Sequence, residues 1–361
     1  MKRPILLLFV LLISIPSLMA QPQDMEAQID QKLATMSLEE KVGQLFMVAA
    51  YSNKDQAHQA AIEKLVTDHH IGGVILMQGG PVRQQRLIQR LQRAASVPLL
   101  VGQDAEWGQA MRLDSTFKFP TALTVGAAGD KELAQKLGSA MAYECQRVGV
   151  HMSFSTVLDV NTNPNNPIIG VRSFGSDAPA VTAMGLATLK GFAEGGVLNC
   201  GKHFPGHGDT HQDSHKTLPK VERTLDQLKA VEWVPFQAAV SGGADAMMVA
   251  HLNIPALEPT GKPTSLSSAV IRDILRKEWG FDGLVLTDAL NMKGVSEFAP
   301  AGQVEVEAFK AGNDILLFPT HVPKAAAALI KAFESGQLSK AELDQSVRRI
   351  LRAKYSSEAI N

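Results

Sequence analysis

Short apolar runs alternate with longer amphipathic segments along most of this chain. The apolar runs have the length of buried strands, and the segments between them carry apolar residues at helical spacing. The runs assigned as strands are 45–49, 73–77, 99–102, 152–160, 197–200, 246–250, 284–286 and 314–318. The segments assigned as helices are 81–95, 131–148, 178–194, 225–240, 268–279, 323–333 and 339–355. Alternating strands and helices predict right-handed βαβ units and a parallel sheet. Eight strands of this kind predict an α/β fold, a TIM-like (β/α)8 barrel that forms a single catalytic domain.

Polar residues follow several of the apolar runs, where a strand buried on both faces has no need of them. These residues are Asp104, Lys202 with His203, His251 and Asp288. In α/β barrels the carboxyl ends of the strands form the catalytic face. The pattern therefore predicts one polar pocket above an apolar barrel.

Composition supports a large folded core and excludes some partners. Of the 361 residues, 45% are hydrophobic and 20% are charged, which argues against disorder. The formal net charge of −1 argues against nucleic acid or an anionic membrane as the main partner. Two cysteines, Cys145 and Cys200, are too few for a disulfide scaffold or a thiolate metal site and are expected to be buried thiols.

The first twenty residues have the pattern of a signal peptide. Lys2 and Arg3 precede the unbroken apolar run 5–13, and Leu18-Met19-Ala20 is a plausible cleavage site. The apolar run is too short to span a bilayer comfortably, so we expect no stable membrane insertion after cleavage. The expected organisation is a signal peptide at 1–20 and the barrel domain at 21–361. The expected location is outside the cytoplasm, either periplasmic or extracellular.

The segment 202–215 concentrates four histidines and two aspartates in a loop broken by proline and glycine. One interpretation is a metal site, but Pro205 lies between His203 and His207 and prevents the helix that an i, i+4 histidine pair requires. The favoured interpretation is acid/base chemistry. Asp213 and His215 are two residues apart, so an extended loop places both side chains on one side. The carboxylate can then orient the imidazole, which titrates near neutral pH. A solvated loop without chemistry stays open as the alternative.

Asp288 ends an apolar strand and is the candidate nucleophile. A carboxylate at that position can attack an anomeric carbon or stabilise an oxocarbenium-like transition state. The alternative is an aspartate that caps the following helix.

Asp104, Arg112 and Arg172 are candidates for binding sugar hydroxyls or an amide carbonyl, and their alternative role is a salt bridge between loops. Trp107 either stacks on a sugar face or packs in a wall.

These segments together resemble glycoside hydrolase family 3, most closely its β-N-acetylglucosaminidase branch. The resemblance rests mainly on Lys202-His203-Phe204-Pro205-Gly206-His207-Gly208-Asp209-Thr210, extended to Asp213-Ser214-His215, and on Asp288-Ala289-Leu290-Asn291-Met292. The segments 169–175 and 157–161 are supporting matches. Two positions depart from the family pattern: Trp107 lies in Asp104-Ala105-Glu106-Trp107-Gly108 where Asp-Gln-Glu-Gly-Gly is commoner, and Ala289 replaces an acid.

The resemblance implies a retaining exo-glycosidase that removes terminal β-linked N-acetylglucosamine from peptidoglycan- or chitin-derived glycans, with a role in peptidoglycan turnover. It implies that Asp288 forms a covalent glycosyl-enzyme and that His215, paired with Asp213, acts as general acid and then base. It also implies a set of residues that bind N-acetylglucosamine: Asp104, Arg112, Arg172, Lys202 and His203. No metal or organic cofactor is implied. The alternatives are a β-glucosidase-like or phosphorolytic activity, a non-catalytic glycan-binding barrel and a metal-dependent hydrolase.

Overall fold

The computed structural model of the protein describes residues 22–212 and 217–357. The predicted signal peptide at 1–20 lies outside the described residues. Asp213 and His215, the predicted acid/base pair, also lie outside them.

Eight parallel strands form the centre of the fold. They are β1 (Phe46–Ala50), β2 (Gly73–Leu76), β3 (Leu100–Gln103), β4 (Met152–Val157), β5 (Leu198–Phe204), β6 (Ala246–Val249), β7 (Leu284–Thr287) and β8 (Leu316–Leu317). Their order is β7-β6-β5-β4-β3-β2-β1-β8. A parallel bridge between Leu286 and Ile315, with a 3.1 Å hydrogen bond from the Thr287 amide to the Ile315 carbonyl, joins the two ends of the sheet. The predicted eight-stranded barrel is confirmed.

Helices surround this barrel. They are α1 (Pro22–Thr35), α2 (Leu38–Gln44), α3 (Gln56–His69), α4 (Pro81–Ala94), α5 (Ala122–Ala128), α6 (Lys131–Arg147), α7 (Ala178–Glu194), α8 (Leu225–Ala230), α9 (Trp233–Ser241), α10 (Lys293–Ser296), α11 (Gln303–Ala311), α12 (Val322–Glu334) and α13 (Lys340–Ser356). A helix of π type covers Ala269–Glu278, and short 3₁₀ turns cover Gln109–Met111, Gly170–Arg172 and Thr264–Leu266. No helix among residues 22–212 and 217–357 has the length and apolar character needed to cross a bilayer.

Two segments differ from the sequence-based assignment. The segment 225–240 is divided into α8 and α9, because Pro235 has no amide hydrogen to continue a helix that starts before it. The fifth strand continues past residue 200 to Phe204, so Lys202 and His203 belong to the strand rather than to the loop after it. The barrel wall therefore holds these two side chains.

The barrel interior is filled closely around small residues. A Cβ atom at Gly102 would lie 2.6 Å from the Phe154 ring, so glycine in β3 leaves room for this aromatic side chain of β4. Phe154 and Met47 are almost fully buried in the same core. The expected burial of Cys145 and Cys200 is confirmed, and burial raises the pKa of each thiol to about 12. Neither thiol is ionised at neutral pH.

Candidate active site

A cavity of about 420 Å³ opens at the carboxyl ends of the strands. Its polar and charged lining includes Asp104, Arg112, Arg172, Lys202, His203 and Asp288. Apolar side chains, among them Ile75, Phe154, Met248 and Leu317, form the floor and walls. A concave site in which several polar groups converge beside apolar walls is typical of a small-molecule site. All six of the predicted site residues that the structure describes line this one cavity.

Asp288 lies immediately after β7, and its backbone amide donates a 2.9 Å hydrogen bond to the Val249 carbonyl at the end of β6. One carboxylate oxygen accepts a 2.7 Å hydrogen bond from the Ala289 amide. Burial raises the pKa of Asp288, but four neighbouring groups lower it by more: the imidazoles of His203 and His251, the Ala289 amide and Lys202. The pKa of Asp288 is therefore below its usual range. The carboxylate is ionised at neutral pH, which is the form a nucleophile requires.

A buried lysine joins two carboxylates at the bottom of the cavity. Lys202 is 1% exposed, and its Nζ lies 2.5 Å from Asp104 Oδ1 and 2.7 Å from Glu106 Oε1. Burial lowers the pKa of Lys202, but the two carboxylates raise it more, so the amine stays charged. The side chain of Asp104 is 25% exposed, in contrast to 4% for Glu106. Asp104 therefore has side-chain surface that a ligand can contact, whereas Glu106 neutralises charge.

Two arginines complete this charged group. Arg172 contacts both carboxylate oxygens of Glu106 with one edge of its guanidinium, at 2.8 Å from Nε and 2.7 Å from Nη2. Arg112 donates to the Asp104 carbonyl at 2.7 Å and to its carboxylate at 3.2 Å. Both arginines lie on loops, so these bidentate contacts hold the loops against the β3 end of the barrel. The ion pairs named as the alternative role of these residues are present, and the same arginines and Asp104 line the cavity.

Asp159 lies behind the cavity and organises two histidines that line it. Its carboxylate accepts hydrogen bonds from the His203 amide at 3.1 Å and from the His207 amide at 2.6 Å, and it lies 2.7 Å from His203 Nδ1. Arg172 Nη2 lies 3.2 Å from the other ring nitrogen of His203 and can act only as a donor there. His203 is therefore held by both ring nitrogens.

The loop that follows β5 is fixed to the loop that follows β4. Asn166 donates from its amide to the carbonyls of His207 and Gly208 and to the hydroxyl of Thr210, at 2.9, 3.1 and 3.2 Å. A Cβ atom at Gly208 would lie 1.7 Å from the Val160 carbonyl, so only glycine permits this close approach. Burial lowers the pKa of His207 to about 4, so this ring is neutral. These contacts fix the loop from His207 to Thr210.

Three residues of this site were missed as site residues by sequence reasoning: Glu106, Asp159 and His207. Glu106 follows Asp104 by two positions, and Asp159 lies at the end of the apolar run 152–160, which is the signal used for the other strand ends. Trp107 is half-buried and is not part of the cavity lining. Within residues 22–212 and 217–357 no three or more His, Cys, Asp or Glu side chains are placed to hold a metal ion.

A closed α/β barrel with a charged cavity at the carboxyl ends of its strands is the architecture of barrel enzymes. The sequence pattern of the glycosyl hydrolase family 3 N-terminal domain matches residues 37–353. The chain belongs to glycosyl hydrolase family 3.

Comparison with individual proteins gives the same family. The chain is 34% identical over 326 residues to beta-hexosaminidase A of Pseudoalteromonas piscicida, covering 81% of this chain and 54% of that protein. It resembles the structure of a family 3 beta-N-acetylglucosaminidase from Paenibacillus sp. str. FPU-7 with a TM-score of 0.84 and 39% identity, over 91% of this chain and 64% of that one. A beta-glucoside phosphorylase structure aligns with a TM-score of 0.88 and 28% identity, over 93% of this chain and 62% of that one. The chain thus spans between about half and two thirds of the length of these proteins.

Proposed function

We propose that the protein is a retaining exo-glycosidase that hydrolyses terminal β-linked N-acetylglucosamine. The observation that carries this proposal is an ionised Asp288 at the end of β7, lining a cavity with Asp104, Arg172, Lys202 and His203. A carboxylate in this position suits attack on an anomeric carbon, with formation of a covalent glycosyl-enzyme. The similarity to proteins named beta-hexosaminidase and beta-N-acetylglucosaminidase supports the choice of sugar.

The charged group around Lys202 gives the terminal sugar its binding site in this proposal. Asp104 keeps a quarter of its side chain exposed to the cavity while Lys202 and Arg112 fix its position. A fixed carboxylate binds two neighbouring hydroxyls, and Arg172 and His203 present donors to other polar atoms of the sugar. Glu106 and Asp159 lie behind these residues and act as positioning residues rather than as ligands.

Asp213 and His215 complete the mechanism in this proposal. The carboxylate orients the imidazole, which protonates the leaving oxygen and then takes a proton from water when the glycosyl-enzyme is hydrolysed. This assignment is based on the sequence motif and its resemblance to the family. We also propose that the protein is exported and that its natural glycan comes from peptidoglycan or chitin.

A pair of aryl glycosides separates the leading proposal from its alternatives. We expect the aryl N-acetyl-β-glucosaminide to be cleaved with a kcat/KM at least about a hundredfold higher than the aryl β-glucoside, since a site with fixed polar partners discriminates strongly against a substrate lacking them. The assay measures release of the aryl alcohol in buffers with and without phosphate. Equal rates on the two glycosides contradict the acetamido preference.

The phosphorolytic alternative has its own readout in the same assay. The similarity to a beta-glucoside phosphorylase makes this the second candidate function. If phosphate accelerates turnover and the product is the sugar 1-phosphate, the acceptor is phosphate and the proposal of a hydrolase is wrong.

The nucleophile is tested in the same assay with Asp288→Asn, which keeps the size of the side chain and removes its charge. Full turnover of this variant would reject Asp288 as the nucleophile.

A further inference from the structure

A second, strongly basic groove lies beside α4. It is a cavity of about 590 Å³, and its lining contains five cationic side chains and no carboxylate. The cationic residues are Lys54, Arg83, Arg86, Arg90 and Arg93. The whole chain has 35 Lys and Arg against 36 Asp and Glu, so such a concentration does not follow from its composition. The groove is a local positive surface on a nearly neutral protein.

The four arginines form a stripe along one face of α4. They occur at 83, 86, 90 and 93, which is the spacing of neighbours on a helix surface. Ten residues separate the first from the last, so the stripe is about 15 Å long at 1.5 Å per residue. Below it, Leu87 and Leu91 of the same helix are buried in the core and fix its orientation. The face of α4 on which the stripe lies is therefore fixed.

The arginines of this stripe are available to an anionic ligand. Arg83 pairs with Asp114 at 2.5 Å, and Arg90 pairs with Glu63 at 2.5 Å. The four side chains of these two ion pairs are between 32% and 58% exposed. Exposed pairs of this kind contribute little stability, so a ligand carboxylate can replace either acid. Arg86 and Arg93 are exposed and have no hydrogen bond or ion pair with any described residue. The groove therefore has unused positive charge.

One residue pair connects this groove to the candidate active site. Tyr51, which follows β1, lines the active-site cavity. The Lys54 ammonium lies 3.9 Å from the centroid of the Tyr51 ring, and Lys54 lines the basic groove. The loop from 112 to 114 gives a second connection, since Arg112 lines the cavity and Asp114 pairs with Arg83. The two cavities are therefore adjacent at Tyr51 and Lys54.

We propose that the groove beside α4 binds the leaving part of the substrate, and that this part is a glycan chain bearing several carboxylates. The guanidinium of arginine matches a carboxylate with two parallel hydrogen bonds. A stripe of about 15 Å suits several anionic groups spaced along a chain better than it suits one group. This inference rests on the proposed function, because it needs the terminal sugar of the same chain to occupy the cavity beside Asp288.

The test uses two oligosaccharides that differ only in charge. The probe is a hyaluronan tetrasaccharide with N-acetylglucosamine at its non-reducing end, and the comparison is the same tetrasaccharide with its carboxylates reduced to alcohols. We expect the native protein to have a kcat/KM about fivefold higher for the carboxylate form. This preference should fall as salt is added, because exposed charges are screened. The variant Arg86→Gln/Arg93→Gln should lose the preference while its activity on the reduced form is unchanged.

The control removes two exposed cations from the helices near β4 and β5. Lys190→Gln/Lys229→Gln changes the net charge of the protein by the same amount, and it should keep the preference of the native protein. The inference is overturned if the native protein prefers neither tetrasaccharide, or if the arginine variant keeps the preference. In both cases cleavage of the reduced tetrasaccharide leaves the proposed function standing. If the native protein cleaves none of the three substrates, the two tetrasaccharides and the aryl N-acetylglucosaminide, the proposed function and this inference are both rejected.

Discussion

Glu106 is the buried counterion of two cationic side chains in the cavity wall, Lys202 and Arg172. Lys202 is buried beneath the cavity between Asp104 and Glu106, and Glu106 also pairs with Arg172. Burial raises the pKa of Glu106, but Lys202 and Arg172 lower it far more, so this carboxylate is ionised. Glu106 itself has almost no surface to offer a ligand. Its role is to neutralise two cations that bind the sugar in our proposal.

Replacement of Glu106 by glutamine should therefore destabilise the protein. The amide keeps the size of the side chain but leaves the charges of Lys202 and Arg172 without a full counterion. Removing one partner of a buried ion pair costs about 3–5 kcal/mol. We expect the free energy of unfolding of Glu106→Gln, measured by denaturant titration, to fall by this amount.

The control for this variant is an exposed ion pair. Glu132 lies 2.7 Å from Lys136, and its side chain is 77% exposed. We expect Glu132→Gln to change the free energy of unfolding by less than about 1 kcal/mol. Similar stability of the two variants would show that Glu106 does not act as a buried counterion.

At the scale of whole elements, the active site depends on how the loop after β5 is held by the loop after β4. The side-chain nitrogen of Asn166 donates to three groups of the β5 loop, and its oxygen accepts from the amides of Ile168 and Ile169. One buried side chain thus links the two loops. In our proposal the general acid follows this loop directly in sequence.

Truncation of Asn166 should loosen the loop without unfolding the barrel. We expect Asn166→Ala to lower kcat/KM by about tenfold, which corresponds to roughly 1.4 kcal/mol of lost transition-state stabilisation. Amide hydrogen exchange within 205–212 should become faster, whereas exchange in the strands should not change. The neighbouring Asn165 is exposed, so Asn165→Ala is a matched control and should behave as the native protein. Unchanged exchange in the Asn166 variant would show that this side chain does not hold the loop.

Sequence reasoning succeeded for elements whose signal is local. An apolar run followed by one polar residue identified the ends of β3, β6 and β7, and it brought Asp104 and Asp288 into one site. It failed where the decisive partner is distant in sequence. The continuation of β5 to Phe204 depends on pairing with β6, and the burial of Asp159 depends on two amides more than forty residues away.

At the scale of the whole molecule, α13 packs against α2, and a buried lysine lies between them. Lys354, in α13, is completely buried, and its Nζ donates a 2.6 Å hydrogen bond to the Gln44 side chain of α2. It has no carboxylate partner among residues 22–212 and 217–357. Burial, with a smaller contribution from Lys32, lowers the pKa of Lys354 to about 7. Folding therefore favours the neutral form of the Lys354 amine.

This burial gives stability a predictable dependence on pH. The pKa of Lys354 falls from an ordinary 10.5 to about 7 on folding, so the unfolded chain binds more protons between these values. The contribution of Lys354 to stability then rises with pH from about 7 to 10.5. We expect Lys354→Met to stabilise the protein, and to do so more at pH 6 than at pH 9.

Denaturant titrations at the two pH values measure this difference. Lys331, on α12, is exposed, and Lys331→Met should have the same small effect at both pH values. If the gain from Lys354→Met were equal at pH 6 and pH 9, the buried amine would not titrate in this range. The sequence could not have predicted this residue, because nothing near Lys354 in α13 distinguishes it from the exposed lysines of other helices.

The most direct test of the account is to identify the residue that becomes covalently bound to the sugar. A 5-fluoro N-acetyl-β-glucosaminide with a good leaving group keeps the acetamido group and slows hydrolysis of the glycosyl-enzyme, so the intermediate accumulates. Proteolysis and mass spectrometry then locate the added sugar. We expect the sugar on Asp288, with no labelling in Asp288→Asn. A sugar attached to any other residue of the native protein would contradict the proposed mechanism.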